Sequence, residues 1–194
     1  MKLSEKRTLK KKEQILLTAI TVVNQRGYDG ATMEEIAAEL LMTKGSLYYY
    51  FANKGDLMYQ CHNFVLSHAA KDLEDELNEE GTAEEVLRRM LATHIDYVID
   101  EKETNNLMIK PRTYFNEDQV ESVLNLRKHY AAMFDRVIEQ GIAAGEFHVQ
   151  DPFIARMMIL GSTNWLQQWY QPDGRISKEE LKQSFGDHIL KLLK

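Results

Sequence analysis

Residues 32–54 read TMEEIAAELLMTKGSLYYYFANK and carry the clearest structural pattern in the chain. Thr32 can serve as an N-cap, with a glutamate three positions later to complete a capping box. Apolar residues then recur at helical spacing, which predicts a short helix with one inward face. Thr43 can cap a second helix, in which Leu47 and Phe51 face inward because they lie four residues apart. The pattern predicts two short helices joined by a tight turn.

The outward face of the second helix combines small and hydroxyl-bearing residues with three consecutive tyrosines. Gly45 has no side chain, so the backbone can approach DNA closely there. In a helix-turn-helix, the N-terminal residues of the second helix contact base edges in the major groove. The alternatives are that one of the tyrosines packs inward, and that the capping threonines serve only the helices. The candidate DNA-binding residues are Thr32, Thr43, Lys44, Gly45, Ser46, Tyr48, Tyr49, Tyr50 and Lys54.

This stretch resembles the N-terminal part of the TetR family of bacterial one-component transcriptional repressors. The resemblance is specific up to Leu57 and only architectural beyond it. It implies an all-α fold, with a three-helix helix-turn-helix DNA-binding domain over residues 1–56 and a helical effector-binding and dimerisation domain over residues 57–194. The residues that carry it are TKGSLYYYF at 43–51, Asn53-Lys54, Leu57, and an upstream helix from Glu13 to Arg26 followed by Gly27-Tyr28 and Ala31-Thr32.

One departure from the family pattern falls in the turn between the two helices. Family members usually carry Ala-Gly where this chain has Leu40-Leu41, and the glycine takes the sharp turn. A leucine in the left-handed conformation costs about 1–2 kcal/mol. We therefore expect a turn of a different shape at this point, without loss of the motif.

The charge of the chain is unevenly distributed, although the net charge of −6 by itself argues against a nucleic-acid partner. Residues 1–54 carry nine Lys/Arg against six Asp/Glu, a balance of +3, so the remaining 140 residues hold −9. Basic residues cluster before the first predicted helix, where they can contact phosphates. A solvated tail is the alternative. The cluster consists of Lys2, Lys6, Arg7, Lys10, Lys11 and Lys12.

The single cysteine, Cys61, excludes an intramolecular disulfide and is typical of a reducing compartment, so we expect a cytoplasmic protein. A buried, inert thiol is favoured over a redox sensor because free cysteines are commonly core residues. The apolar positions of residues 15–23 form an amphipathic stripe, and no small-residue cleavage site of a signal peptide follows them. No apolar run approaches the length of a membrane span, so no membrane partner is expected.

The remainder of the chain predicts capped helices with few strand signals. Thr82 and Ser177 are each followed by a glutamate three residues later, as in a capping box. Pro152 suits the first position of a helix, and Gly145 suits the end of one. The expected helices run from Lys54 to Asn78, from Thr82 to Asp100, from Asn116 to Gly145, from Asp151 to Tyr170 and from Ser177 onward; residues 101–106 are expected to form a loop, and 107–115 a short helix or irregular segment.

The helix predicted over residues 153–170 is apolar nearly all round. Such a helix must be buried on several sides, and a second copy of the chain is an economical partner for it. The resemblance implies the same arrangement, a homodimer formed through the last two long helices, whose two-fold symmetry matches a palindromic operator in double-stranded DNA. The candidate dimer-interface residues are Met157, Leu160, Gly161, Trp165, Leu181, Phe185 and Ile189.

The resemblance also implies a small hydrophobic effector that binds the C-terminal domain and releases the repressor from its operator. Methionine and aromatic residues with a few polar ends suit an apolar ligand, although such stripes are also ordinary core. The segment 164–177 is similar to that of an acyl-CoA-responsive subgroup, which favours a thioester; a drug-like lipophile acting on an efflux-gene repressor is the alternative. The candidate effector-binding residues are Met90, His94, Tyr97, Met108, Arg112, Tyr114, Phe115, Tyr130, Met133, Phe134 and Trp165, of which His94 and Arg112 are the polar candidates for orienting the ligand.

Other classes of function find little support in the sequence. The chain has no Gly-x-Ser-x-Gly, no Gly-rich phosphate loop and no His-Glu-x-x-His, so neither an enzyme nor a catalytic residue is expected. No two of the six histidines lie three or four residues apart, and neither a metal nor a cofactor is expected. An all-helical protein-interaction module without sequence-specific DNA binding is the alternative from a different class. Activation in place of repression also stays open.

Overall fold

The computed structural model describes residues 3–106 and 111–194, and all regular secondary structure in these ranges is α-helical. The all-α fold class predicted from the sequence is therefore confirmed. The helices are α1 (Leu3–Gly30), α2 (Met33–Glu39), α3 (Lys44–Tyr48), α4 (Lys54–Asn78), α5 (Ala83–Asp100), α6 (Lys102–Asn106), α7 (Pro111–Tyr114), α8 (Glu117–Ala143), α9 (Pro152–Asn164), α10 (Leu166–Trp169) and α11 (Lys178–Leu193).

The helices form two compact units, and the division falls inside α4 and α8. The first unit comprises Met1–Leu66 and Glu101–Leu124, and the second comprises Ser67–Asp100 and Asn125–Lys194. The functional boundary expected after residue 56 stays a prediction.

The first unit is built around α1, which contacts α2 and α6. Its core includes the fully buried side chains of Ile15, Leu47 and Leu57, from α1, α3 and α4 respectively. The side chain of Asn24 on α1 accepts a hydrogen bond from the backbone amide of Thr104 at 3.3 Å, which ties α6 to α1. The short helices α2, α3 and α6 therefore pack against other helices of the first unit.

In the second unit, α5 contacts α9, α10 and α11. The start of α5 is capped from a distant part of the chain, because the carboxylate of Glu146 accepts from the backbone amides of Ala83 and Glu84 at 3.2 and 3.0 Å. The ring of Phe147 covers Gly141 so closely that a Cβ there would lie 2.1 Å from it. The apolar cluster between α5 and the C-terminal helices contains Ile95, Val98, Leu166 and Leu181.

The helix caps predicted from the sequence are confirmed. The hydroxyl groups of Thr82 and Ser177 accept from the backbone amides of the glutamates three residues later, at 3.2 and 3.3 Å. Asn116 accepts from the amide three residues on at 2.9 Å, and Asp151 accepts from the amide of Phe153 at 3.0 Å. Each cap satisfies backbone donors that have no partner within their own helix.

Three local predictions are wrong. The basic residues from Lys6 to Lys12 do not precede the first helix but lie on it, since α1 already begins at Leu3 and its first turns are rich in helix-favouring Lys and Glu. Residues 102–106, expected as a loop, form α6 against α1. The helix expected from 152 to 170 is interrupted at Trp165. Just before this break, two side-chain hydroxyls donate to the carbonyl of Ile159, a contact that bends helices.

Cys61 is buried in the first unit, as predicted. Its thiol donates to the carbonyl of Leu16 at 3.8 Å, and burial raises the pKa of the thiol above its ordinary value, which keeps it protonated and unreactive. None of the helices in the described ranges is both long and apolar enough to cross a membrane.

Candidate DNA-binding interface and effector region

The start of α2 is held by a reciprocal capping box. The hydroxyl of Thr32 accepts from the backbone amide of Glu35 at 3.2 Å, and a carboxylate oxygen of Glu35 accepts from the amide of Thr32 at 3.0 Å. The second carboxylate oxygen of Glu35 forms a salt bridge with the guanidinium group of Arg26, at an N–O distance of 2.6 Å. The backbone hydrogen bond from Thr32, followed by that from its hydroxyl, holds the pKa of Glu35 below its usual value. The orientation of α2 is thereby set by contacts on its own surface.

The turn between α2 and α3 has the geometry that a glycine would normally supply. Leu41 adopts a left-handed conformation with φ of 52°. The amide of Leu41 donates to the carbonyl of Ala38 at 3.0 Å, and that of Met42 donates to Ala37 at 2.8 Å, which together form a Schellman motif. The expectation that the turn avoids the left-handed conformation is wrong: Leu41 adopts it, at a strain of about 1–2 kcal/mol.

Helix α3 presents its first turn to solvent. Thr43 is its N-cap and accepts from the amide of Ser46 at 3.1 Å, and the two hydroxyls lie 2.8 Å apart. A Cβ placed on Gly45 would meet, among the described residues, only the hydroxyl of Thr43 at 3.9 Å. The space next to Gly45 is therefore open, and another molecule can approach the backbone closely there.

Lys44 lies on the exposed face, where it is paired with Glu34 of α2. The same ammonium group stands 5.8 Å from the ring centroid of Tyr48. The hydrogen bond between Lys44 and Glu34 raises the pKa of the lysine and lowers that of the glutamate. Both side chains are about half exposed, so the pair is screened by solvent and weak, and a phosphate can compete for the lysine.

The three tyrosines differ in exposure. Tyr49 is 80% exposed and Tyr48 is 42% exposed, whereas Tyr50 is half-buried. The rings of Tyr49 and Tyr50 meet edge to face with centroids 5.1 Å apart. The expectation that one tyrosine packs inward is thus met only to the extent that Tyr50 is half-buried.

Lys54 is placed differently from the other candidate DNA-binding residues. Its ammonium group donates to the backbone carbonyl of Tyr28 and lies 4.1 Å from the centroid of the Tyr28 ring. Tyr28 also packs against Tyr114, with ring centroids 4.8 Å apart. The side chain of Lys54 therefore ties the start of α4 to the end of α1, and any contact with DNA requires it to leave this position.

Five of the candidate effector residues lie in the interior of the second unit. Met90 and His94 come from α5, and Tyr130, Met133 and Phe134 come from α8; all are buried. Nδ1 of His94 is 2.8 Å from the hydroxyl of Tyr130. The ring of Phe134 meets that of His94 edge to face at 5.6 Å. Burial lowers the pKa of His94 to about 4, so the imidazole is neutral at physiological pH.

The remaining effector candidates are distributed over other environments. Tyr97 donates from its hydroxyl to Asp72 at 2.5 Å, and Trp165 is 64% exposed. In the first unit, Arg112 is exposed, and the buried ring of Phe115 stands 5.8 Å from that of Tyr59. Tyr114 packs on Tyr28 as described above, and Met108 lies outside the described residues. The structure thus brings His94, Tyr130 and Phe134 into contact and buries Met90 and Met133 in the same unit. The joint role of the eleven candidates stays a prediction.

The candidate dimer residues fall into two groups. Leu181 and Ile189 are buried within their own chain, and Phe185 is partly buried against the cluster of Ile95 and Leu181. Met157, Gly161 and Trp165 are exposed, and Leu160 is half-buried. Further exposed apolar residues lie in the same segment but were not among the candidate dimer residues. Their position in a helix that is apolar nearly all round already indicated an interface. They are Phe153, Ile154, Met158 and Trp169.

Sequence comparison agrees with this architecture. Residues 15–61 match the family described as bacterial regulatory proteins of the tetR family, and residues 80–193, more than half of the chain, match the tetracyclin repressor-like C-terminal domain. The chain belongs to the TetR family. It is accordingly a DNA-binding transcriptional regulator, as the helix-turn-helix predicted.

Several TetR-family members resemble the chain over most of its length. The fatty acid metabolism regulator protein of Bacillus subtilis is 25% identical over 162 residues, which cover 79% of this chain and 82% of that protein. A TetR/AcrR regulator from Thermobifida fusca superposes with a TM-score of 0.81 at 23% identity, covering 95% of this chain and 99% of the other. The regulator AibR, solved with isovaleryl coenzyme A and operator DNA, gives 0.77 at 24%, covering 94% and 97%. These relatives are regulators and not enzymes, and the structural likenesses show the fold.

Proposed function

We propose that this TetR-family regulator is a repressor that binds a palindromic operator as a homodimer and leaves it when a small hydrophobic effector binds. An acyl-CoA thioester is the favoured effector class. The observation that carries the DNA-binding part is the first turn of α3, where the space at Gly45 is open and the neighbouring Lys44, Tyr48 and Tyr49 are exposed. Groove contact needs this combination of close backbone approach, a cation and hydroxyl donors.

The exposed face of α9 supports dimerisation. Phe153 and Met157 of α9 and its C-cap residue Trp165 are each about half exposed or more, whereas Ala155, Ile159 and Thr163 of the same helix are buried against the rest of the unit. An exposed apolar surface of this kind on a soluble chain marks an interaction site. A two-fold dimer places its two α3 helices in successive major grooves, about 34–36 Å apart along the duplex.

The acyl-CoA assignment rests on likeness and on the chemistry of the second unit. AibR has been solved with isovaleryl coenzyme A, and the Bacillus subtilis relative regulates fatty acid metabolism. The interior between α5 and α8 offers methionine and aromatic side chains with the polar pair His94 and Tyr130, which suits an apolar chain that carries a polar function.

Substitution of Gly45 tests the DNA-binding part without disturbing the fold. In Gly45→Ala the added methyl meets only a hydroxyl at 3.9 Å among the described residues, so stability is expected to stay or to rise by up to about 1 kcal/mol. Operator affinity is expected to fall by roughly 1–3 kcal/mol, because the methyl group keeps the backbone from the groove. Affinity is measured on the fragment that the wild-type chain selects from genomic DNA, by fluorescence anisotropy.

The control is Ser67→Ala, which likewise replaces a poorer helix former by alanine, at an exposed residue of α4 that belongs to neither the candidate DNA-binding set nor the candidate dimer set. It is expected to leave operator affinity unchanged. Unchanged operator affinity in Gly45→Ala would remove the groove contact from the proposal, and selection of no fragment at low salt would favour the protein-interaction alternative.

The effector part is tested by release of that operator fragment. Long-chain acyl-CoA is expected to dissociate the complex and to raise the melting temperature of the free protein, since a ligand that binds the folded state stabilises it. Coenzyme A alone and the free fatty acid are the controls. A hydrophobic drug panel that releases the operator while acyl-CoA does not would shift the proposal to a lipophile-responsive repressor.

A further inference from the structure

The imidazole of His94 has one ring nitrogen that the surrounding protein leaves without a partner. Nδ1 faces the hydroxyl of Tyr130 at 2.8 Å, whereas Nε2 is buried and meets no hydrogen-bonding atom in the part of the chain that the structure describes. The whole side chain is 4% exposed. Buried polar atoms in folded proteins nearly always have a partner, so an orphaned one requires a reason.

The 2.8 Å contact with Tyr130 fits either tautomer of His94, and we assign the tautomer from the hydroxyl group of Tyr130. The phenol of Tyr130 is buried, and its hydroxyl proton needs an acceptor, which Nδ1 provides. Since the buried ring is neutral at physiological pH, it has a single proton, and that proton then lies on Nε2. The orphaned atom is therefore a hydrogen-bond donor without an acceptor.

Aromatic rings neighbour the ring of His94, and buried methionines lie on the two helices that carry His94 and Tyr130. The ring of Phe134 stands edge to face with that of His94 at 5.6 Å and lies 6.1 Å from that of Tyr130. Met90 lies one turn before His94 on α5, and Met133 lies one turn after Tyr130 on α8; both are buried. Methionine side chains rearrange easily around different occupants. The setting suits an apolar ligand that carries one hydrogen-bond acceptor.

We infer that Nε2–H of His94 donates a hydrogen bond to the carbonyl oxygen of the effector's acyl group, and that this bond makes the regulator specific for acyl over alkyl ligands. The inference rests on the proposed function and names the residue that reads the ligand. A ligand of the same shape without the carbonyl would leave the donor unpaired in an apolar interior, and sites of this kind reject such analogues strongly.

A matched pair of ligands tests the inference. Dodecanoyl-CoA and its thioether analogue dodecyl-CoA differ only in the carbonyl group, and each is titrated against the complex of the full chain with its selected operator fragment. For the wild type we expect half-release at a concentration at least about tenfold lower for the acyl ligand than for the thioether. In His94→Phe the two ligands are expected to act at equal concentrations.

His129→Phe is the matched control, since it makes the same change at the exposed residue next to Tyr130. It is expected to keep the tenfold preference. Because His94→Phe removes the acceptor of Tyr130, the double variant His94→Phe/Tyr130→Phe is made as well, so that the test survives poor folding of the single variant. Operator affinity without ligand is measured for every variant, because the ligand concentration needed for half-release depends on how tightly that variant binds the operator.

The outcomes separate the inference from the proposed function. Equal release of the wild type by both ligands, or a preference that persists in His94→Phe, overturns the role of His94 while acyl-CoA responsiveness stands. Release by neither ligand overturns the acyl-CoA effector itself and the inference with it. A purely structural histidine would lower the melting temperature on substitution and leave the acyl preference intact.

Discussion

The two units of this regulator differ in the contacts made by their candidate functional residues. In the first unit, the exposed residues of α2 and α3 are held by short-range bonds, such as the capping box of Thr32 and the pair of Lys44 with Glu34. In the second unit, the exposed side chains of α9 are apolar, and a buried nitrogen of His94 has no protein acceptor among the described residues. The contacts that hold α2 and α3 are thus made close by in the first unit, whereas the second unit carries the apolar face and the buried nitrogen on which the proposed dimer and the proposed effector site rest.

The largest effect is expected from a charge on the apolar face of α9. In Met157→Asp the carboxylate would be desolvated at the proposed dimer interface, which is expected to weaken operator binding by about 2–4 kcal/mol because each half-site would be bound alone. The side chain is half exposed in the single chain, so the fold is expected to be kept. Sedimentation velocity and anisotropy measure the two effects.

Leu124→Asp provides the control for this comparison, since it places the same charge at an exposed apolar residue of α8 in the first unit. It is expected to leave the oligomeric state unchanged. A Met157→Asp protein that remains dimeric would contradict the proposal that the exposed apolar face of α9 forms the dimer interface.

The exposed side chains of α3 are expected to matter for DNA and not for stability. Tyr49→Ala and Lys44→Ala should each weaken operator binding by roughly 1–3 kcal/mol if a base contact is lost, with little change in the free energy of unfolding. Lys71→Ala, at an exposed position of α4, is the control for charge alone. The salt dependence of affinity distinguishes a phosphate contact, since its slope falls by about one for each contact removed.

The buried imidazole of His94 should make the stability of the second unit depend on pH. Its pKa is lowered to about 4 in the folded chain, so between pH 6.5 and 4 the unfolded chain binds the proton more readily. The contribution to stability is complete above pH 6.5 and is lost as the pH falls, by about 2 kcal/mol between pH 7 and 5. Urea unfolding at both pH values measures it.

Carboxylates also contribute to acid destabilisation, and the wild type is therefore compared with the His94→Phe/Tyr130→Phe variant, which lacks the titrating ring. That variant should lose about 2 kcal/mol less over the same interval. Equal losses in the two proteins would show that His94 is solvated and titrates normally in the folded state.

The smallest effect concerns the turn of the first unit. Leu41→Gly should raise the free energy of unfolding by about 1 kcal/mol, because glycine adopts the left-handed conformation without strain and the leucine side chain is 96% exposed. Leu41→Ala removes the side chain but keeps the Cβ and is expected to gain little. Equal stabilisation by both would assign the effect to the exposed side chain and not to the backbone.

The helix starts and the helix-turn-helix could be predicted from the sequence because their determinants are local. A cap and its glutamate lie three residues apart, so the boundaries of α2, α5 and α11 were readable, as was the outward face of α3. The left-handed conformation of Leu41 was not expected from the sequence. The prediction considered only the strain of a left-handed leucine and not the two backbone hydrogen bonds of the Schellman motif that stabilise the turn.

Other features depended on residues far apart in the chain. The pairing of His94 with Tyr130, the capping of α5 by Glu146 and the bond from Lys54 to Tyr28 join residues 26 to 63 positions apart, and no periodicity reports them. The burial of Leu181 and the exposure of Met157 likewise follow from which face meets α5.

For this protein, the order of residues along the chain was sufficient to predict an all-helical TetR-family regulator with a helix-turn-helix, since capping, spacing and side-chain chemistry act over one or two turns. Tertiary structure alone decided which side of α9 stays in solvent and which nitrogen of His94 lacks an acceptor. Those outcomes depend on how whole helices pack, and packing is a sum over contacts between distant segments that no local pattern contains.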